Sequence, residues 1–187
     1  MHMIIRIICY GKDEKEAREQ AEIILEDNLV GGDKSFDYGT FFDDETAGAS
    51  GKARWGNLTS VALADSKEGK KLIDEGMKFT KEEFKRNLQK VKEIIDSYSE
   101  DELFEGEVTD IKSKILEKLD GKKDIDLTMF KYYCSCLGEY RGSNIFLYDN
   151  DGEGIRSERH LKDVLNKWNR KDYEGLNIYV VPVDVHH

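Results

Sequence analysis

The chain has 187 residues and a formal net charge of −10. This length suffices for one domain with its own hydrophobic core. The negative charge argues against nucleic-acid binding driven by the overall electrostatic field, because such binding depends on Lys and Arg. The sequence has no apolar run of the about 20 residues that a membrane-spanning helix needs, and its first residues lack a cleavable signal pattern. We therefore expect a cytoplasmic, soluble protein that binds neither nucleic acid nor membrane.

The three cysteines, Cys9, Cys134 and Cys136, are an odd number, so at least one thiol stays free in a monomer. Reduced thiols are typical of intracellular proteins. One residue separates Cys134 from Cys136, whereas two to four residues usually separate the members of a zinc-binding pair. We therefore predict buried structural cysteines in preference to a metal or redox site.

The first third of the chain contains two predicted strands and one predicted helix. The apolar run "MIIRIICY" indicates a buried strand. Asp13, followed by Glu16, has the spacing of a helix capping box, and the helix is expected to end by Gly31 and Gly32. "SFDYGTFF" predicts a second strand. "LTSVALA", which follows a long glycine-rich segment, is compatible with either a strand or a helix.

From Asp65 to about Lys123 the composition shifts to charged, helix-forming residues. Thr80 and Glu83 have capping-box spacing, which predicts that a helix begins at Thr80. Weaker helices are predicted around residues 111–119 and through "DLTMFKYYCSCLGEY". We expect residues 65–143 to form an inserted helical subdomain.

The C-terminal part returns to the pattern of the start, with "NIFLYD" as a strand, "RSERHLKDVLNKW" as a helix and "LNIYVVPVDV" as a long final strand. This order predicts an α+β fold, a ferredoxin-like split βαβ sandwich with an antiparallel sheet, helices on one face, and a core of residues 1–64 and 144–187. The first and third core strands are expected to lie parallel in the centre. The last strand is expected antiparallel beside the first, so that the chain ends meet at one edge.

The stretch "YDNDGEGIRSERH" carries Asp149, Asp151 and Glu153 at alternate positions, as in a calcium-binding loop. The twelfth position, which needs a bidentate Glu, is His160, and a predicted strand precedes the loop where a helix should stand. A turn into a helix capped by Ser157 explains most of the pattern. The three acidic residues remain candidate ligand-binding groups, on the same edge as "CYGKDE".

Histidine and carboxylate side chains are predicted to converge where the chain ends meet. Converging groups of these types bind zinc or another divalent metal, which is the one cofactor that the sequence suggests. The structural alternative is that the chain ends fray and these residues bind nothing. The candidate ligands are His2, Asp43, Asp44, Glu45, Asp184 and His186.

The glycine-rich stretch "GASGKARWGN" contains Lys52, Arg54 and Trp55, which are suited to binding an anion or stacking on a ring. It lacks the spacing of a phosphate-binding loop. A flexible hairpin tip is the structural alternative. Loops of this length are, however, more often functional than short ones.

The sequence contains no Gly-x-Ser-x-Gly motif and no evident catalytic triad. We therefore expect a binding or regulatory protein that engages a small ligand or a protein partner through its loop edges or its helical insertion. The alternative is a metal-dependent hydrolase or nuclease-like enzyme whose divalent ion activates water. Convergence of Asp43, Asp44 and Glu45 with His2 and His186 would separate the two hypotheses.

Overall fold

A computed structural model describes residues 1–44, 48–106, 127–166 and 173–187. Two long strands lie near the ends of the chain and short strands lie between them: β1 His2–Gly11, β2 Tyr38–Phe41, β3 Ala62–Leu63, β4 Leu147–Tyr148 and β5 Asn177–His186. The α-helices are α1 Glu14–Ile24, α2 Lys52–Trp55, α3 Lys67–Ser97, α4 Glu100–Glu105, α5 Thr128–Gly138 and α6 Glu158–Asn166. A π-helical turn, Leu25–Leu29, continues α1.

The chain forms two compact units. The sheet unit comprises Met1–Lys81 and Tyr140–His187, and the helical unit comprises Glu82–Glu139. The helix α3 contributes residues to both units. The division into a core and an inserted subdomain after residues 64 and 143 stays a prediction.

Strands β1 and β5 form the centre of the mixed sheet, which has five strands in the described part of the chain. They pair antiparallel over their whole length, with His2 opposite His186, so the two chain ends meet as predicted. β4 lies parallel to β1 at one edge. β2 and β3 both pair antiparallel with the other side of β5, where Phe41 lies opposite Val183 and Ala62 opposite Val180.

The central strands are buried on both faces. Ile5 of β1 belongs to a core that includes Ala21 of α1. Ile8, which points to the opposite face, belongs to a second core with Leu72 of α3 and Val164 of α6. Helices therefore cover both faces of the sheet, which explains why "MIIRIICY" is nearly continuously apolar instead of alternating.

The α+β class is confirmed, but the ferredoxin-like sandwich is not. The predicted pairs of the first strand are present, since β1 runs parallel to β4 and antiparallel to β5. However, β4 lies at an edge and not in the centre, the sheet is mixed and not antiparallel, and helices pack on both of its faces. The apolar residues on both faces of β1 and β5 require this double cover.

Two predicted helix starts have different outcomes. The Asp13 cap is confirmed, because its side chain accepts a hydrogen bond from the Glu16 backbone N–H at 2.9 Å. Thr80 begins no helix, since α3 runs without a break from Lys67 to Ser97. The Thr80 hydroxyl is buried and accepts a hydrogen bond from the Phe146 backbone N–H instead.

The predicted helix at residues 111–119 and the last two residues of the helix predicted through "RSERHLKDVLNKW" lie outside the described residues. The helix predicted through "DLTMFKYYCSCLGEY" is confirmed as α5. Among the helices of the described ranges, none combines the length and the apolar character needed to cross a membrane.

Candidate functional site

The acidic loop after β4 is a turn whose first carboxylate binds the protein's own backbone. Asp149 is buried, and its Oδ1 accepts hydrogen bonds from the backbone N–H groups of Asp151 and Glu153, both at 2.9 Å. Its Oδ2 lies 3.2 Å from Nε2 of His160. Asp149 therefore stabilises the turn, and a ligand would have to compete with these contacts. A ligand-binding role for the three acidic residues stays a prediction.

The contacts around this turn support the structural interpretation of the motif. Ser157 caps α6 as predicted, because its Oγ accepts a hydrogen bond from the His160 backbone N–H at 3.1 Å. Glu153 pairs with Arg141. Gly152, whose φ is 72°, packs so closely on Asn28 that an added Cβ would lie 2.6 Å from the Asn28 Cβ. The loop thus packs against the π-helical turn. It follows β4, which runs parallel to β1, and its predicted place beside "CYGKDE" stays a prediction.

Asp184 is a fully buried carboxylate at the edge where the chain ends meet. Its Oδ1 lies 3.0 Å from Nδ1 of His2, and its Oδ2 accepts a hydrogen bond from the Gly51 backbone N–H at 2.8 Å. Buried carboxylates need such partners, because an unpaired charge in the interior is costly. Asp184 therefore fastens both the start of β1 and the glycine-rich segment to β5.

The two histidines at this edge have protein partners on both ring nitrogens. His2 Nε2 lies 3.2 Å from the Tyr38 hydroxyl, and its Nδ1 contacts Asp184. His186 Nδ1 lies 2.9 Å from Asp37 Oδ2, and its Nε2 lies 3.2 Å from the amino group of the first residue. A metal ion would have to displace these partners, because a ligating imidazole offers a free nitrogen.

The six predicted metal ligands are only partly brought together. His2, Asp184 and His186 are neighbours, whereas Asp43 accepts a hydrogen bond from Arg18 of α1 at 3.2 Å. The start of β2, at Tyr38, lies beside His186, so Asp43 and Asp44 follow the far end of that strand. Glu45 lies outside the described residues. Among the residues that are described, no group of three or more His, Cys, Asp or Glu has an arrangement that could hold a metal.

The glycine-rich segment contains a one-turn helix, α2, that carries the predicted binding residues. Lys52, Arg54 and Trp55 are all exposed. Gly51, which precedes them, has a φ of 54° and donates its N–H to Asp184. The segment is thus anchored to β5 at Gly51, and the side chains that follow are exposed to solvent. A ligand-binding role for these side chains stays a prediction.

The cysteines differ in exposure. Cys136 is buried as predicted, whereas Cys134 is exposed. The two differ because side chains two residues apart on a helix point in different directions. Cys9 lies in the core, and burial raises the pKa of its thiol to about 12. A thiol with this pKa is almost entirely protonated at pH 8 and therefore a poor nucleophile.

We expect one fast-reacting thiol when the native protein is treated with Ellman's reagent at pH 8, namely Cys134. Cys9 and Cys136 should react only as the protein unfolds, because both are buried. Cys134→Ser should remove the fast phase, and Cys136→Ser should leave it unchanged. Rapid reaction of two or more thiols in the native protein would contradict the burial of these residues.

An open cleft in the sheet unit lies among β3, the start of α3, α6 and the start of β5. Its volume is about 470 Å³, within the range of about 300–1,000 Å³ typical of small-molecule sites. Leu63 on β3 is 41% exposed, although it is a large aliphatic side chain. The apolar residues that line the cleft are Leu63, Ala64, Ile73, Leu161, Leu165, Leu176 and Ile178.

Backbone hydrogen bonds fix the strand and the turn that form one wall of the cleft. The Ala64 N–H donates to the Ile178 carbonyl at 2.9 Å, which joins this wall to β5. Ser66 then caps α3, because its Oγ accepts a hydrogen bond from the Gly69 N–H at 3.0 Å and donates to the Leu63 carbonyl at 2.6 Å. These hydrogen bonds therefore fix the main chain of this cleft wall.

A partly buried ion pair between Arg6 and Glu75 holds the second wall, α3, against the sheet. The Nη2 atom of Arg6 on β1 lies 3.0 Å from Glu75 Oε2. Its Nη1 atom donates a hydrogen bond of 2.7 Å to the Ile4 carbonyl oxygen. Burial lowers the pKa of Arg6, and the hydrogen bond to Glu75 partly offsets this effect. The third wall, α6, is fixed by a hydrogen bond of 2.9 Å from the Tyr10 hydroxyl to the Val164 carbonyl.

The polar lining of the cleft consists of Asp65, Lys70, Asp74 and Asn177. The three charged residues are exposed. Lys70 and Asp74 stand four residues apart on α3, the spacing at which opposite charges usually interact on a helix. Within the described residues, however, neither forms an ion pair of 4.0 Å or less with the other or with a third group.

Sequence reasoning missed this cleft. The helical spacing of Leu161 and Leu165 indicates an apolar face, but it does not reveal that the neighbouring segments leave space beside that face. The one local signal is the ambiguous stretch "LTSVALA", in which Leu63 points away from its buried neighbours Ala62 and Ala64. Two residues of β3 are too few for periodicity to identify a strand.

The sheet unit is thus a mixed α+β structure with helices on both faces and an open apolar cleft. The chain belongs to the family described as "Domain of unknown function (DUF7995)", which matches it over residues 1–110 and 102–187. Comparison with curated proteins gave no match, and comparison with solved structures gave none.

Proposed function

We propose that the protein is a non-enzymatic binding protein that holds a small, largely apolar molecule in the cleft between β3, α3, α6 and β5. The observation that carries this proposal is the cleft of about 470 Å³ with mainly aliphatic walls. Apolar surface that stays in water is unfavourable by about 25 cal/mol per Å². A ligand that covers Leu63 and its neighbours would recover this free energy.

The metal-dependent hydrolase has weaker support. That alternative requires Asp43 to join the histidines, and Asp43 instead contacts Arg18. The nitrogens of His2 and His186 also already have partners. We therefore favour a binding role in the cleft over an active site at the edge where the chain ends meet.

The proposal is tested by titrating the protein with N-phenyl-1-naphthylamine, an uncharged apolar dye whose fluorescence rises in an apolar site. We expect saturable binding at one site per chain. Leu63→Asp should weaken the affinity by about tenfold or more, because a carboxylate in an apolar site loses its hydration.

The matched control is Ile23→Asp, which places the same charge on an exposed aliphatic position of α1, away from the cleft. It should leave dye affinity unchanged, and circular dichroism should show that both variants are folded. Absence of saturable dye binding by the unmodified protein contradicts the proposal. Equal affinities of the two variants would also contradict it.

A further inference from the structure

We propose that the ligand of this cleft is a zwitterion, namely a short peptide with apolar side chains and free termini. Its ammonium group pairs with Asp74, and its carboxylate pairs with Lys70. This inference rests on the proposed binding function of the cleft. It adds the chemical class of the ligand, which the apolar walls alone do not specify.

The first argument is the arrangement of charge at the rim. Lys70 and Asp74 lie one helical turn apart and both line the cleft. Each is exposed, and no ion pair joins them. These two opposite charges are close together, but they do not form an ion pair with each other. They are complementary to a ligand that carries one positive and one negative charge at a similar spacing.

The second argument is the poor fit of ligands with a single charge. A purely anionic head that approaches Lys70 would meet the carboxylates of Asp65 and Asp74 on the same rim. A purely cationic head would be attracted to these carboxylates but repelled by Lys70. Like charges brought together at an interface are unfavourable. A zwitterion offers an attractive partner to each side chain, and Asn177 provides an amide that can both donate to and accept from the ligand.

The third argument concerns size. The volume of about 470 Å³ belongs to the range of sites that enclose drug-sized molecules. Aliphatic residues from four separate elements surround this space, so a ligand with more than one apolar side chain can contact several walls at once. A dipeptide with two leucine side chains combines these features with one ammonium and one carboxylate.

The test uses four derivatives of one peptide as competitors of N-phenyl-1-naphthylamine. Dileucine is zwitterionic, N-acetyl-dileucine is anionic, dileucine amide is cationic, and N-acetyl-dileucine amide is neutral. We expect dileucine to displace the dye best. N-acetyl-dileucine and dileucine amide should each bind about fivefold more weakly, because each lacks one ion pair near the surface. The doubly blocked form should be the weakest.

Two substitutions assign each charge to its partner. Asp74→Asn should weaken dileucine and dileucine amide but not N-acetyl-dileucine. Lys70→Gln should weaken dileucine and N-acetyl-dileucine but not dileucine amide. The matched controls are Asp163→Asn and Lys71→Gln, exposed residues outside the cleft lining, which should change no affinity.

The outcomes separate this inference from the proposed function. Dye binding with equal displacement by all four peptides, or with a singly charged form as the best competitor, overturns the zwitterionic ligand and leaves the apolar cleft in place. Failure of all four peptides to displace a bound dye also overturns it. Absence of dye binding overturns the proposed function itself.

Discussion

Replacing Gly69 with alanine should lower the free energy of unfolding of the sheet unit by about 3 kcal/mol. A Cβ on Gly69 would collide with the carbonyl oxygen of Leu63, and it would lie 2.7 Å from the Leu63 carbonyl carbon and 2.9 Å from the Ala64 Cα. All of these are backbone atoms. They cannot move away cheaply, because the Ala64 N–H is bonded to β5 and the Leu63 carbonyl to Ser66.

The measurement is urea unfolding followed by tryptophan fluorescence. Trp55, one of the two tryptophans of the chain, lies in the sheet unit, so its fluorescence reports the unfolding of this unit. Lys67→Ala is the matched control, since it places alanine in the same helical turn at an exposed position and should change the free energy of unfolding by less than about 0.5 kcal/mol. A loss below about 1 kcal/mol for Gly69→Ala would contradict the close approach of β3 to α3.

Replacing Asp184 with alanine should also cost about 3 kcal/mol of stability at pH 7. The substitution removes the acceptor of the Gly51 N–H and the partner of His2, and it leaves a small cavity in a fully buried position. Asp184→Asn should cost less, because its carbonyl oxygen can still accept one hydrogen bond.

The same fluorescence-detected unfolding in urea measures this effect. Asp43→Ala is the control, because its carboxylate forms an exposed ion pair with Arg18, and such pairs contribute about 0–1 kcal/mol. If Asp184→Ala and Asp43→Ala destabilised the protein equally, Asp184 would not be the anchor of the chain ends and of the glycine-rich segment.

Local sequence patterns predicted the parts of the fold that depend on neighbouring residues. Asp13 and Ser157 are both followed by backbone N–H groups that need a cap, so their roles follow from the sequence. The antiparallel pairing of β1 with β5 was also expected, from the order of the predicted strands and helices. The nearly unbroken apolar character of β1 already indicated burial on both faces of the sheet. The predicted sandwich, with helices on one face only, did not take this into account.

Other features depend on contacts between distant segments and were not predictable. Thr80 has the spacing of a helix cap, but its hydroxyl binds the backbone of Phe146, which lies 66 residues away in the chain. The cleft is a space between four elements, and the sequence of each element indicates only an apolar face. His2 lies beside Asp184, as expected where the chain ends meet, but the direction of β2 takes Asp43 away from them, and a metal site at this edge stays a prediction.

Methyl-resolved NMR of the protein labelled at Ile and Leu, titrated with N-phenyl-1-naphthylamine, tests binding in the cleft most directly. We predict chemical-shift changes at Ile73, Leu161 and Ile178, which line the cleft. The methyl groups of Ile5 and Leu29, which belong to the core on the opposite face of the sheet, should not shift. Shifts confined to that opposite core or to the helical unit, or no shifts at saturating dye, would contradict the assignment of this cleft as the binding site.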